Sequence, residues 1–103
     1  MTFTQMITVT TDDSRALADH AATWNAEQGG IAPGYLGTRI LASRDVPDQY
    51  VIEVDFSSEE EAGRNNDRAE TAAWAQRLRD LVDTEPTYDS YVRVWTAEGV
   101  GAH

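Results

Sequence analysis

The sequence predicts an α+β domain of ferredoxin-like order, β-α-β-β-α-β, with a four-stranded antiparallel sheet and two main helices on one face. Three observations lead there. Four segments alternate with period two and are rich in β-branched or aromatic residues, two stretches carry apolar residues at helical spacing, and only a tight turn separates the second and third strands.

The first segment, Phe3 to Thr11, puts Phe3, Gln5, Ile7 and Val9 on one face and Thr4, Met6, Thr8 and Thr10 on the other. Asp12, Asp13 and Ser14 then offer N-caps, with acidic charge at the positive end of the coming helix. That helix runs through RALADHAATWNAEQ to Gly29-Gly30, and its inward stripe is Leu17, Ala21 and Trp24.

Pro33-Gly34 opens a second strand, Tyr35 to Arg44, which an Asp45-Val46-Pro47 turn reverses into a third, Asp48 to Phe56. Placing Arg44 opposite Asp48 sets Thr38 against Val54, Ile40 against Ile52, Ala42 against Tyr50, and Arg39 against Glu53. A slip of one residue would set Ile40 against Glu53 and Arg39 against Val54, so the first register is expected. Ser57 with Glu60 forms a capping box before a short helix that breaks near Asn65-Asn66-Asp67. A longer helix, Asp67 to Val82, carries Thr71, Trp74, Leu78 and Leu81 on one stripe. Thr87 to Thr96 is the last strand, and the small polar tail from residue 97 to His103 is expected to fray.

Composition narrows the function classes. The chain has 103 residues, one domain's length, with 41% hydrophobic and 25% charged residues, which rules out a disordered or low-complexity chain. Eight basic against eighteen acidic residues, with no lysine, give a net charge of -10. Such a balance repels a phosphate backbone or an anionic membrane surface, so neither nucleic acid nor membrane is an expected partner. There is no cysteine, and no apolar run of about 20 residues. A cytoplasmic location is the default expectation.

The sheet face without helices would be polar in a monomer. Here it mixes Met6, Val51, Tyr91 and Trp95 with Arg39, Glu53, Asp55, Asp89 and Arg93. That mixture suits burial against a partner, and a second copy related by a two-fold axis is the simplest one.

The segments Pro33-Gly34-Tyr35-Leu36-Gly37 and Phe56-Ser57-Ser58-Glu59-Glu60-Glu61-Ala62, around strand Tyr50 to Phe56, resemble the antibiotic biosynthesis monooxygenase domain of the dimeric α/β-barrel superfamily. In that family a PGF/Y-x-G segment precedes the second strand, and an aromatic-x-S-x-E-x-A segment joins the third strand to the second helix. The resemblance covers the chain in order of elements and implies a dimer whose two sheets close a barrel, with a ligand cavity between helices and sheet. It also implies cofactor-free oxidation of aromatic substrates or, in some members, haem degradation. Where haem-degrading relatives carry a Trp and an iron-ligating His, this sequence has Asn65 and Trp74. An indole has only an N–H donor and cannot ligate iron, so no cofactor is expected.

The candidate catalytic residues are Asn65, Asn66 and Arg64 at the helix break: a side-chain amide can hold a phenolate or developing oxyanion, and an arginine can stabilise it. The same Asn-Asn-Asp run also suits the end of one helix and the cap of the next. Trp24 and Trp74 serve as cavity wall or as core, and Tyr35, Tyr50 and Tyr88 fall in the same layer. His20, beside the inward stripe, is a candidate base or a structural histidine. Glu59-Glu60-Glu61 cannot converge on a metal, because consecutive helical residues diverge by about 100°. The leading expectation is a cofactor-independent monooxygenase for a small aromatic molecule; a non-catalytic dimeric ligand-binding or interaction module is the alternative.

Overall fold

The fold is seen in a computed structural model, which describes residues 1–99. Its elements are β1 (Phe3–Thr10), α1 (Ser14–Gln28), β2 (Tyr35–Ala42), β3 (Gln49–Phe56), α2 (Glu59–Asn66), α3 (Ala69–Leu81) and β4 (Thr87–Val92). The strands form one antiparallel sheet in the order β2-β3-β1-β4, so the ferredoxin-like topology holds with the second helical region divided in two.

The hairpin has the expected register: Thr38 faces Val54, Arg39 Glu53, Ile40 Ile52 and Ala42 Tyr50. Arg39 Nη2 lies 3.0 Å from Glu53 Oε2. The strands stop short of the turn, because Asp48 adopts a left-handed φ of 62° that lies outside strand geometry. Nearer the start of β2 the register shifts by one between Tyr35 and Gly37, so Leu36 is a bulge residue.

Two further boundaries differ from expectation. The cap of α2 is Ser58, whose Oγ accepts from the Glu61 N–H at 3.2 Å, not Ser57. β4 ends at Val92, not Thr96, because its neighbour β1 begins at Phe3; the last bond along that edge runs from Arg93 N–H to Thr2 C=O at 2.9 Å. Alternation continues past that point but has no strand to pair with. Residues 93–99 lie outside regular secondary structure, and the rest of the expected tail, with His103, falls outside the described residues.

At the start of α1, Asp13 is the cap, its Oδ1 accepting from Ala16 N–H at 3.0 Å. Leu17 of α1 and Leu78 of α3 meet Ile7, Val9 and Ile52 of the sheet in the main core. A second cluster, Phe3, Phe56 and Ala62, anchors α2. Val54 packs against both. Burying a side chain of this size contributes about 1.5–3 kcal/mol, so these eight residues fix the helical layer on the sheet. On the opposite face, Asp55 is buried, taking the Thr4 hydroxyl at 2.6 Å and facing Arg39 at 3.3 Å and Arg93 at 3.6 Å. Tyr91 (54% exposed) stands beside Thr4 on that face, and Trp95 (78%) lies beyond the strand.

Candidate functional site

Cross-strand rows on the helix-covered face explain where a cavity opens. The row Tyr35, Phe56, Phe3, Val92 is apolar, as is the row Ile40, Ile52, Ile7, Tyr88. Between them lies Thr38, Val54, Gln5, Ser90. Short or polar side chains in that row do not fill the space beneath the helices, and a cavity of about 40 Å³ lies there. Its floor is Gln5, Val54 and Thr38. Trp24 of α1 and Trp74 of α3 form walls, and Asn65 and Asn66 close it from the end of α2.

Asn65 is buried at 4% exposure. Arg68 Nη1 donates to its Oδ1 at 3.3 Å, and the Thr71 hydroxyl donates to the same atom at 3.2 Å. A guanidinium can only donate, so the atom that meets it must be the amide oxygen. The orientation of the amide follows: its oxygen is held by two donors, Arg68 and Thr71, and its NH₂ makes no hydrogen bond among the described residues, while the residue lines the cavity. Arg68 is itself braced, Nη2 donating to Gln28 Oε1 at 2.6 Å and to Glu70 Oε2 at 3.2 Å. The amide therefore does not cap α3. That helix starts from Arg68 with no side-chain cap.

Arg64, expected beside Asn65, lies on the outer surface, paired with Glu61 at 2.7 Å and Glu60 at 3.0 Å. The arginine at the amide is Arg68, in the junction between α2 and α3, where its backbone N–H bonds the Asn65 carbonyl at 3.1 Å and turns the chain back over that residue. The polar row of Gln5 and Thr38 was readable as a gap in an otherwise apolar face.

The remaining candidates scatter. His20 lies behind the wall, its ring stacked on Trp74 with centroids 4.9 Å apart and 8° between planes. Its Nε2 is 2.9 Å from the Trp74 carbonyl, which can only accept, so Nε2 carries the hydrogen. Trp24 meets Trp74 edge-on at 6.3 Å. On the far side of these two indoles, His20, Glu27 and Glu70 line an outer groove of about 300 Å³. Tyr35 is spent on Asn25, at 3.0 Å, and Thr38, at 2.6 Å, and packs edge-on against Phe56. Tyr50 packs on the main core away from the cavity, and Tyr88 is 43% exposed on the edge strand. The cavity thus gathers Asn65, Asn66, Trp24 and Trp74, and leaves Arg64, His20, Tyr35 and Tyr50 outside its lining. Among the described residues no group of His, Asp and Glu is placed to hold a metal ion, and no helix is long and apolar enough to cross a membrane.

The fold is thus a ferredoxin-like sheet with a small cavity under its helices, lined by two asparagine amides and two indoles. No protein-family model and no curated protein sequence matches the chain. Solved structures do match. SnoaB, a cofactor-independent oxygenase from Streptomyces nogalater solved as an asparagine-to-alanine mutant, superposes with a TM-score of 0.72 at 18% identity, over 92% of this chain and 95% of that one. A protein from Nitrosomonas europaea, provisionally described as an antibiotic biosynthesis monooxygenase, gives 0.70 at 18% identity over 94% of each chain. Rv0793 from Mycobacterium tuberculosis gives 0.73 at 10% identity over 95% of this chain and 100% of that one. This chain shares the fold of these structures, among them one provisionally described as an antibiotic biosynthesis monooxygenase.

Proposed function

We propose that the chain is a cofactor-independent monooxygenase of the antibiotic biosynthesis type, acting on a small aromatic substrate. One observation carries this: the Asn65 amide, buried and with its oxygen held by Arg68 and Thr71, borders a mostly apolar cavity with its N–H groups free. A fixed donor in a low-dielectric space stabilises negative charge on a substrate oxygen far better than water-exposed donors do. The fold shared with the Streptomyces nogalater cofactor-independent oxygenase supports the reaction class.

The chemistry follows from that donor. A substrate with a carbonyl or phenol conjugated to an acidic CH₂ loses a proton, and the charge of the resulting anion resides largely on oxygen, where Asn65, and Asn66 beside it, can hold it. The anion supplies the electrons that reduce O₂, a C–O bond forms at the former CH₂, and water leaves. One oxygen atom stays in the new carbonyl; the other departs with the two hydrogens of the CH₂. No outside reductant is needed. Trp24 and Trp74 hold the ring. Because the cavity, about 40 Å³, is smaller than the ~150 Å³ that admits benzene, a substrate must widen it by displacing side chains of its lining.

The working unit is a homodimer through the helix-free face, where Met6, Arg39, Val51, Glu53, Tyr91, Arg93 and Trp95 meet a second copy. A mixed apolar and charged surface with a buried carboxylate between two arginines fits that use.

The small volume also favours a second reading, a non-catalytic module that binds a ligand without transforming it. Aerobic and anaerobic incubation with hydroxylated anthrone-like aromatics separates the two. The oxygenase gives an oxygen-dependent quinone-type product; binding with unchanged ligand in both atmospheres leaves the module.

A further inference from the structure

Trp74 has a donor that the fold leaves unused. Its indole Nε1 is shielded from water and meets no acceptor among the described residues. Buried N–H groups are nearly always paired in folded proteins, and an orphan is costly. The ring is not free to turn toward a protein partner. His20 stacks flat on it, Trp24 abuts it, and the backbone carbonyl of the same residue is tied to His20.

The surroundings say what is missing. Trp74 lines the cavity beside Asn65, and the chain's eighteen acidic residues contribute none to that lining. The nearest formal charge bonded to it is Arg68, through the Asn65 oxygen. The oxygens that do line it belong to Gln5, Thr38, Thr71 and the two asparagines, and none of them accepts from the indole, whose N–H stays unpaired on a cavity-lining residue.

We propose that the Trp74 indole N–H is a second donor of this cavity, satisfied only by the ligand, so that the site selects aromatic ligands carrying an acceptor oxygen, a carbonyl or an ionised hydroxyl, over plain aromatic hydrocarbons. This rests on the cavity being the ligand site of the proposed function and specifies the substrate feature it reads. The discrimination comes from the unpaired donor: a hydrocarbon leaves it unpaired, and an oxygen pairs it.

The test uses the intact protein with 1-tetralone and its oxygen-free counterpart tetralin, and needs no turnover. The wild-type protein binds tetralone about tenfold or more tightly than tetralin, the size expected from pairing a buried donor. Trp74→Phe keeps the aromatic wall but removes the N–H; it narrows the preference several-fold, with the loss confined to tetralone and the remaining preference left to the Asn65 amide. As a second readout, tetralone moves the Trp74 indole N–H resonance downfield in the wild-type protein, while those of Trp24 and Trp95 move less. Equal binding of the two ligands by the wild type, undiminished tetralone binding by Trp74→Phe, or a Trp74 indole resonance that tetralone leaves in place would each overturn the proposal. Tetralone binding through Trp74 in a protein that never consumes oxygen would keep this inference and remove the oxygenase reading.

Discussion

Arg68 Nη1 lies 3.3 Å from Asn65 Oδ1 and thereby decides which end of this cavity-lining amide is left without a partner among the described residues. If that contact sets the donor, Arg68→Ala frees the amide to rotate and lowers turnover of an aromatic substrate by about tenfold or more, the scale of a hydrogen bond to a charged group. Thr71→Val removes the other donor and has a smaller effect in the same direction. Steady-state kinetics of both variants check this, with the loss expected in kcat more than in KM because the amide acts on developing charge. A fall in melting temperature with unchanged kcat would make Arg68 a structural residue only.

Gly34 carries a second local demand. Its φ is +66°, and a Cβ there would come within 2.4 Å of the Glu61 Cβ and 2.7 Å of the Ser57 Oγ. Gly34→Ala thus combines a left-handed backbone with a clash against the start of α2, and should cost about 1–3 kcal/mol. Chemical denaturation measures it, and an unchanged midpoint would mean that the loop relaxes freely.

The dimer is tested on its apolar residues. Light scattering of the wild-type chain should give twice the 11.4 kDa chain mass, and Tyr91→Asp, which places a charge on the half-exposed aromatic beside the Asp55 cluster, should shift the mass toward one chain. A wild-type protein of single-chain mass at micromolar concentration would remove the barrel.

Tyr88 provides a pH signature. Burial holds its phenol above the ordinary value of 10.0, with Glu85 adding to the rise and Arg79 opposing it. The raised value means that the folded state favours the protonated phenol. Its contribution to stability is therefore complete below pH 10 and is lost as pH climbs through the folded-state value. The ring resonances of Tyr88 should titrate above the ordinary value, later still in Arg79→Ala, and Tyr88→Phe should soften the alkaline loss of stability. A Tyr88 midpoint at or below 10.0 would contradict the burial.

The hairpin shows what was legible in the sequence. Opposite charges at Arg39 and Glu53 and matched apolar residues at Ile40 and Ile52 determine one register, because a slip by one exposes the wrong face of every residue. The Leu36 bulge was not legible, since an extra residue leaves the alternation on either side intact. Nor was the end of β4, because alternation reports a strand's faces and not the length of its neighbour. Ser57 and Ser58 both offer an oxygen three residues before a glutamate, and only the packing of Ser57 beside Gly34 leaves Ser58 as the cap. At the site, Asn65 was legible as an Asx residue at a helix break. Its arginine partner was sought at the adjacent Arg64, but the partner is Arg68, brought back by the turn between α2 and α3, whose shape the residue pattern does not report.

Oxygen consumption by the wild-type chain and Asn65→Ala, measured with the same hydroxylated anthrone-like substrate, tests the central claim most directly. The wild type should consume one O₂ per product formed without added metal, flavin or reductant, and Asn65→Ala should be slower by about 10²-fold, the usual cost of losing a donor to a developing oxyanion. Equal rates in the two proteins, or no uptake by the wild type across a broad panel of such aromatics, would contradict it.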